Sequence, residues 1–127
     1  MTENEIGTIV IECAIAVHRE LGPGLLESVY EVALAHEIGV RGLDVERQSP
    51  ISIEYRGLKF DEGFRADLIV ANKVILELKS AERVTSAHKK QIQTYLRLTD
   101  YKLGYLLNFG AALMKDGITR CVNNLDE

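Results

Sequence analysis

The sequence contains no tryptophan, and aromatic residues make up only 6% of it. Proteins that hold single strands by stacking bases on aromatic side chains need more of them, so the composition does not favour that mode of binding. No apolar run is long enough to cross a bilayer. Residues 1–5 lack the basic start and the apolar stretch of a signal peptide, so we expect a cytoplasmic protein without a membrane partner.

Cysteine is also scarce. Cys13 and Cys121 stand near opposite ends of the chain and form no C-x-x-C pair. Two thiols are too few for a structural zinc site or a four-cysteine iron–sulfur site. We therefore expect both side chains to be buried and reduced.

Positive charge is in deficit, since 15 lysines and arginines stand against 19 acidic residues, a net charge of −4. This balance argues against non-specific, charge-driven binding of nucleic acid. Basic residues are nevertheless concentrated in residues 83–102, where Asp100 is the sole acid. A basic element on an acidic body suits a protein that meets a polyanion along one surface, and it is equally typical of a solvated helix face.

The helical segments are bounded by local signals. At 127 residues the chain forms one domain, residues 1–127, with the composition of a globular protein. A capping box at Thr2–Glu5 predicts a first helix that ends near Leu21, before Gly22-Pro23-Gly24. A second helix is expected from about Leu25 to Ile38, with Gly39 as its C-cap, and a third from Thr85 or Ser86 to Leu98.

The remaining segments have the pattern of β-strands. Val45–Tyr55 reads as a strand interrupted at Pro50, and Arg56-Gly57 reads as a hairpin turn. The expected strands are residues 45–55, 58–60, 64–70, 74–79, 102–109 and 118–122. The order α-α-β-β-β-β-α-β-β predicts an α/β fold built on a mixed sheet.

Two of these apolar segments contain acid. Asp67 lies within residues 64–70, and Glu77 lies within residues 74–79. Burying a carboxylate among leucine, isoleucine and valine is costly unless it is paired or binds a metal.

The loop between the two segments decides how the acids meet. If Ala71-Asn72-Lys73 is a three-residue loop, Asp67 lies opposite Glu77 on one face of the hairpin. A two-residue loop would place Asp67 opposite Leu78 instead. We favour the three-residue loop, because Asn72 tolerates the left-handed backbone that such loops often need.

Two carboxylates so close repel each other unless a cation lies between them. Oxygen ligands without His or Cys suit Mg²⁺ or Mn²⁺ better than zinc. Such an ion can polarise a water molecule, and Lys79 can stabilise charge that develops on a phosphate. In the same register Arg65 lies across from Lys79, a like-charge contact that an anion would relieve. The alternative is that Glu77 and Lys79 form an exposed strand face and that Asp67 begins a turn.

These residues resemble the D-x(n)-E-x-K core of the PD-(D/E)XK nuclease superfamily, with Asp67 followed by Glu77-Leu78-Lys79. Residues 24–30, GLLESVY, fit the G-x-x-E-x-x-Y signature of the small GxxExxY proteins, and residues 91–95, QIQTY, fit the Q-x-x-x-Y motif of the RecB-like branch. The likeness covers nearly the whole chain. One departure is Ala66, where the family has a proline.

The resemblance implies a restriction-endonuclease-like fold, a mixed sheet flanked by helices with an α-β-β-β-α-β core. It also implies that Asp67 and Glu77 bind Mg²⁺ or Mn²⁺, with the backbone carbonyl of Leu78 as a further ligand. Lys79 would be the catalytic lysine.

Three other residues receive roles from the resemblance. Glu27 would complete the acidic cluster directly or through water, while Gln91 and Tyr95 would line the cleft and position the lysine or a phosphate. Taken alone, Glu27 is an ordinary first-turn acid, and Gln91 and Tyr95 belong to an ordinary amphipathic helix. His18 is expected to hydrogen-bond the Gly-Pro-Gly corner rather than to face the cleft.

The resulting hypotheses differ in class. The first is a divalent-metal-dependent nuclease that hydrolyses phosphodiester bonds in nucleic acid, with DNA favoured. The second is a nucleic-acid-binding or accessory module that keeps the nuclease fold without turnover, and the third is a structural partner in a larger complex. A homodimer or a larger partner complex would be a source of specificity.

Overall fold

Helix α1 (Glu3–Leu21) opens the chain in the computed structural model, which describes residues 1–126. It begins at the predicted capping box, where the Thr2 side chain accepts the N–H of Glu5 and the Glu5 carboxylate accepts the N–H of Thr2. It ends at Gly22, whose φ of 71° is one that glycine adopts readily. Both predicted ends of this helix are confirmed.

Helix α2 (Glu27–Val40) continues beyond its predicted end. Gly39 lies inside the helix, and the C-cap residue is Arg41, so the prediction of Gly39 as the C-cap is wrong. The left-handed turn that glycine permits is made by Gly42, with φ of 88°, and the helix therefore has no reason to stop three residues earlier.

Strands β1 (Val45–Tyr55) and β2 (Leu58–Val70) form a long hairpin around the predicted turn. Pro50 does not interrupt β1, because β1 lies at the edge of the sheet, where a missing backbone N–H is tolerated. Residues 58–60 and 64–70 are one strand, not the expected two. Residues 61–63 form a bulge opposite β1, and Gly63 permits it, since a Cβ there would collide with the Ile53 side chain.

Strand β3 (Val74–Lys79) pairs antiparallel with β2 and parallel with β4 (Leu103–Asn108). Helix α3 (Ser86–Arg97) connects β3 to β4, and β5 (Ile118–Val122) closes the sheet after a short 3₁₀ helix. The strand order is β1-β2-β3-β4-β5. The succession α2-β1-β2-β3-α3-β4 confirms the predicted mixed sheet with its α-β-β-β-α-β core.

The sheet separates two layers of apolar side chains. Leu68, Leu76 and Leu78 face α1 and α2, whereas Ile69 and Ile75 pack with α3. Because side chains alternate along a strand, Glu77 lies on the α3 side.

The cysteines lie in these layers as expected. Cys13 and Cys121 are both free and buried, and burial raises the pKa of each thiol. Within residues 1–126, no helix combines the length and apolar character needed to cross a membrane.

Candidate active site

The β2–β3 hairpin turns through the three-residue loop Ala71–Lys73, as predicted. The ladder pairs are Val70↔Val74, Ile69↔Ile75 and Leu68↔Leu76. Ala71 and Asn72 both have left-handed backbones, with φ of 51° and 56°, and the N–H of Lys73 donates to the Val70 carbonyl. Asp67 and Glu77 therefore follow the last ladder pair on their two strands.

Beyond that pair the two strands separate. The Asp67 carboxylate accepts the backbone N–H of Leu78 at 2.8 Å, in the place that the Ala66 carbonyl would take in a continued ladder. Lys79 remains paired on the other side, since its carbonyl accepts the N–H of Phe109 at 2.8 Å. Because successive residues direct their backbone groups to opposite neighbours, the Leu78 carbonyl faces the opening that β2 leaves.

Glu77 is buried in this opening with an unsatisfied oxygen. The residue is 7% exposed, and within the described chain its Oε1 has no hydrogen-bond partner. Burial, followed by the negative charge of Asp67, raises the pKa of Glu77 to about 8. The cost of such a carboxylate disappears if a cation binds between the two acids. Two carboxylates and a backbone carbonyl are ligands that Mg²⁺ and Mn²⁺ prefer, so the residues present fit the predicted ion.

Lys79 ends β3 beside the acids. Its side chain is half-buried and makes no salt bridge within the part of the chain that is described. The contact expected between Arg65 and Lys79 does not form a ladder pair, because β2 has left β3 at this point. Arg65 pairs instead with Glu62 of its own strand at 2.8 Å.

Asn108 holds the segment that follows Lys79, a role that the sequence pattern did not predict. Its side chain is 3% exposed and forms two hydrogen bonds of 3.0 Å with the backbone of Ala81, and it also accepts the N–H of Gly110 at 3.0 Å. The available signal was an amide within the apolar strand 102–109. This is the kind of signal that singled out Glu77.

Glu27 begins α2 and is exposed. The start of α2 lies near the end of β3, where the Ser80 hydroxyl donates a hydrogen bond to the Leu25 carbonyl at 2.6 Å. Across residues 1–126, however, no group of three or more His, Cys, Asp or Glu side chains is placed to hold a metal ion. The structure therefore does not gather Glu27 with Asp67 and Glu77.

Tyr30, the last residue of the G-x-x-E-x-x-Y motif, is fully buried and supports the corner before α2. Its hydroxyl donates to the Gly22 carbonyl at 2.6 Å and accepts the N–H of Leu25 at 3.0 Å. His18 does hydrogen-bond this corner as predicted, through its backbone carbonyl, which accepts the N–H of Gly22 at 2.8 Å. Its ring is directed elsewhere. The His18 ring donates to the Ala111 carbonyl at 2.8 Å, in the loop after β4, because Tyr30 already satisfies the corner.

Helix α3 presents Tyr95 to the acids. The Tyr95 ring stacks on Phe64 with centroids 3.7 Å apart. Burial, then the negative charges of Glu77 and Asp67, raise the pKa of Tyr95, so its hydroxyl lies in the field of the acid pair. Gln91 lies one turn earlier, exposed and without a side-chain hydrogen bond to any described residue.

The basic segment lies on and around the same helix. All five of its cationic side chains are exposed, and they are Arg83, Lys89, Lys90, Arg97 and Lys102. None of them forms a salt bridge within residues 1–126.

A buried network between α2 and β1 was also missed. Glu31 is 6% exposed, and its carboxylate accepts a hydrogen bond from Arg47 Nε at 3.1 Å and one from the amide of Gln48. Arg47 Nη2 also forms an ion pair with it at 3.0 Å. The same Gln48 nitrogen lies 3.4 Å from Asp67 Oδ1. The sequence signal for Glu31 was its spacing of four from Glu27, which places both acids on one face of α2.

Comparison with family models matches residues 4–121 to the model described as the PD-(D/E)XK nuclease superfamily. The match includes both acids of the hairpin and every strand in whole or nearly so. Comparisons with curated proteins and with solved structures found no match.

Proposed function

Because this chain belongs to the PD-(D/E)XK nuclease superfamily, we propose that it is a divalent-metal-dependent nuclease that hydrolyses phosphodiester bonds in nucleic acid, with DNA as the favoured substrate. Residues 24–30 and 91–95 further support a place among the small GxxExxY proteins with a RecB-like helix motif. The exposed cations around α3 provide a surface that suits a polyanion.

The observation that carries the proposal is the buried Glu77 oxygen beside Asp67, to which no residue within 1–126 donates a hydrogen bond. An apolar residue in place of Glu77 would fill this position at lower cost, so packing does not explain the acid. A divalent ion held by Asp67, Glu77 and the Leu78 carbonyl would explain it. When bound, the ion would supply positive charge to the phosphate and would polarise a water molecule.

The chain's own residues would then act on the phosphate. The ammonium of Lys79, unpaired within the described chain, would stabilise the negative charge that develops during attack. The hydroxyl of Tyr95 stays protonated near the acids and can donate a hydrogen bond. Glu27 and Gln91, both exposed, would contribute through water.

A nucleic-acid-binding module without turnover is the second candidate. Two acids rather than three meet at the opening within residues 1–126, and this observation favours it. Such a module would bind nucleic acid and leave it intact.

The experiment that tests the proposal is cleavage of labelled linear and supercoiled DNA, and of RNA, in Mg²⁺, Mn²⁺ or EDTA. Lys79→Ala should lower the cleavage rate by roughly 10²–10³-fold. Lys73→Ala is the matched control, because Lys73 lies in the loop at the opposite end of the same hairpin and should retain activity. A wild type that binds substrate and ion but cleaves nothing would favour the second candidate. A wild type that binds neither would overturn both.

A further inference from the structure

Gln48 has a backbone conformation that its residue type does not favour. Its φ is 51° within β1, although the residues on either side pair regularly with β2, as Arg47↔Leu68 and Ser49↔Ala66. Side chains with a Cβ are strained in this left-handed region. Strain of this kind persists where surrounding contacts fix the residue, and it is concentrated at functional sites.

The contacts of the Gln48 side chain join two carboxylates. Its amide nitrogen donates to Glu31 Oε1 and lies 3.4 Å from Asp67 Oδ1. Both partners are acceptors, so the nitrogen rather than the oxygen of the amide must face them. Gln48 is also the residue of β1 that lies across from Asp67, since its two neighbours pair with the two neighbours of Asp67.

Glu31 is a fixed point for this bridge. It is buried, and both the Nε and the Nη2 of Arg47 bind its other oxygen. The Gln48 amide therefore cannot rotate without giving up a hydrogen bond to an ion-paired carboxylate. The second oxygen of Asp67 is held by the Leu78 N–H at 2.8 Å, so both oxygens of Asp67 are restrained.

We propose that Gln48, anchored by Glu31, is a positioning residue for the divalent-ion site, and that it holds the Asp67 carboxylate in the orientation that binds the ion. This inference rests on the proposed function, because it takes Asp67 as a ligand. Outer residues that orient a ligand typically alter metal affinity by 10–100-fold when they are changed. Gln48 and Glu31 are expected to act in this way without touching the ion.

The test uses Gln48→Asn, with Gln93→Asn as the matched control. Asparagine keeps the amide and tolerates a left-handed backbone, but it is one methylene too short to reach both carboxylates. Gln93 also donates through its amide, at 3.0 Å to the Val122 carbonyl, and lies on α3 away from this network. Mn²⁺ binding should weaken by roughly 10–100-fold in Gln48→Asn and should be unchanged in Gln93→Asn. Glu31→Gln keeps one acceptor for Gln48, so its Mn²⁺ affinity should lie between those of the other two variants.

A second readout needs no metal. In Gln48→Asn the backbone amide of Leu78 should exchange with solvent roughly tenfold faster, because Asp67 no longer holds it firmly, while the amide of Ile75 in the core should keep its rate. An unchanged Leu78 exchange rate, or an unchanged Mn²⁺ affinity, would overturn the inference. If the wild type binds no Mn²⁺, the proposed function is wrong, and so is the role of Gln48 in metal binding. The Leu78 exchange rate then still decides whether Gln48 orients Asp67.

Discussion

The carboxylate of Asp67 accepts the backbone N–H of Leu78 at 2.8 Å and so replaces the strand pairing, whose last ladder pair is Leu68↔Leu76. The Asp67 side chain therefore lies in the opening where β2 separates from β3. Glu77, the next residue of β3 after the last ladder pair, is left buried with an oxygen that no described residue binds.

The stability of the metal-free protein should fall as the pH rises from about 4.5 to about 8. The pKa of Glu77 is about 8 in the folded chain against an ordinary value of 4.5, so the folded state binds the proton more tightly. The contribution of protonated Glu77 to the free energy of unfolding is complete below pH 4.5 and is lost as the pH passes 8. Its upper limit is roughly 5 kcal/mol. Urea unfolding from pH 4 to 9 measures it. Glu77→Gln should lack this part of the pH dependence, and parallel curves for the two proteins would contradict the assignment.

Divalent ions should stabilise the protein more strongly at higher pH. The ion requires ionised carboxylates, and Glu77 must lose its proton before it can bind, so Mg²⁺ competes with that proton. We expect Mg²⁺ to raise Tm at pH 8, to raise it less at pH 6, and to leave Asp67→Ala unaffected. Thermal unfolding with Mg²⁺ or EDTA checks this. An equal rise in Tm for Asp67→Ala would place the ion elsewhere.

Asn108→Ala should lower the free energy of unfolding by about 2–3 kcal/mol, because the backbone of Ala81 loses both of its hydrogen bonds to a buried amide. Asn123→Ala is a suitable control, since the Asn123 amide donates one bond of 3.2 Å to Leu96. Its loss should be about 1 kcal/mol. Denaturant unfolding compares the two, and equal losses would show that Asn108 has no special role after Lys79.

Tyr95→Phe should distinguish the contribution of the Tyr95 ring to stability from the contribution of its hydroxyl to catalysis. Phenylalanine keeps the ring on Phe64, so the free energy of unfolding should stay within about 0.5 kcal/mol of the wild type. The lost hydroxyl should lower kcat/KM roughly tenfold, an amount equal to one hydrogen bond to a charged group. Steady-state cleavage kinetics measure this, and an unchanged kcat/KM would remove Tyr95 from the site.

The parts of the fold that local signals determine were predictable from the sequence. The capping box at Thr2, the turn at Arg56-Gly57 and the register around Asn72 each depend on a few neighbouring residues, and the structure confirms them. The union of residues 58–60 and 64–70 was not predictable, because it depends on how Gly63 fits against Ile53 across the hairpin.

The candidate site divides in the same way. Asp67 and Glu77 can be recognised in the sequence as acids inside apolar segments. Because side chains alternate between the two faces of a strand, the sequence also predicts that these two acids lie together. The link through Glu31 and Gln48 depends on the packing of α2 against β1 and on a left-handed glutamine that no sequence pattern indicates. Tertiary contacts alone assemble it.

Anomalous diffraction from crystals soaked in Mn²⁺ would show whether the opening beside Glu77 binds a divalent ion. We predict a single strong peak about 2.1 Å from Glu77 Oε1, within bonding distance of Asp67 and the Leu78 carbonyl, and no such peak in Glu77→Gln. A well-diffracting soaked crystal with no peak at this opening, or with its peak elsewhere, would show that Asp67 and Glu77 do not form the ion site.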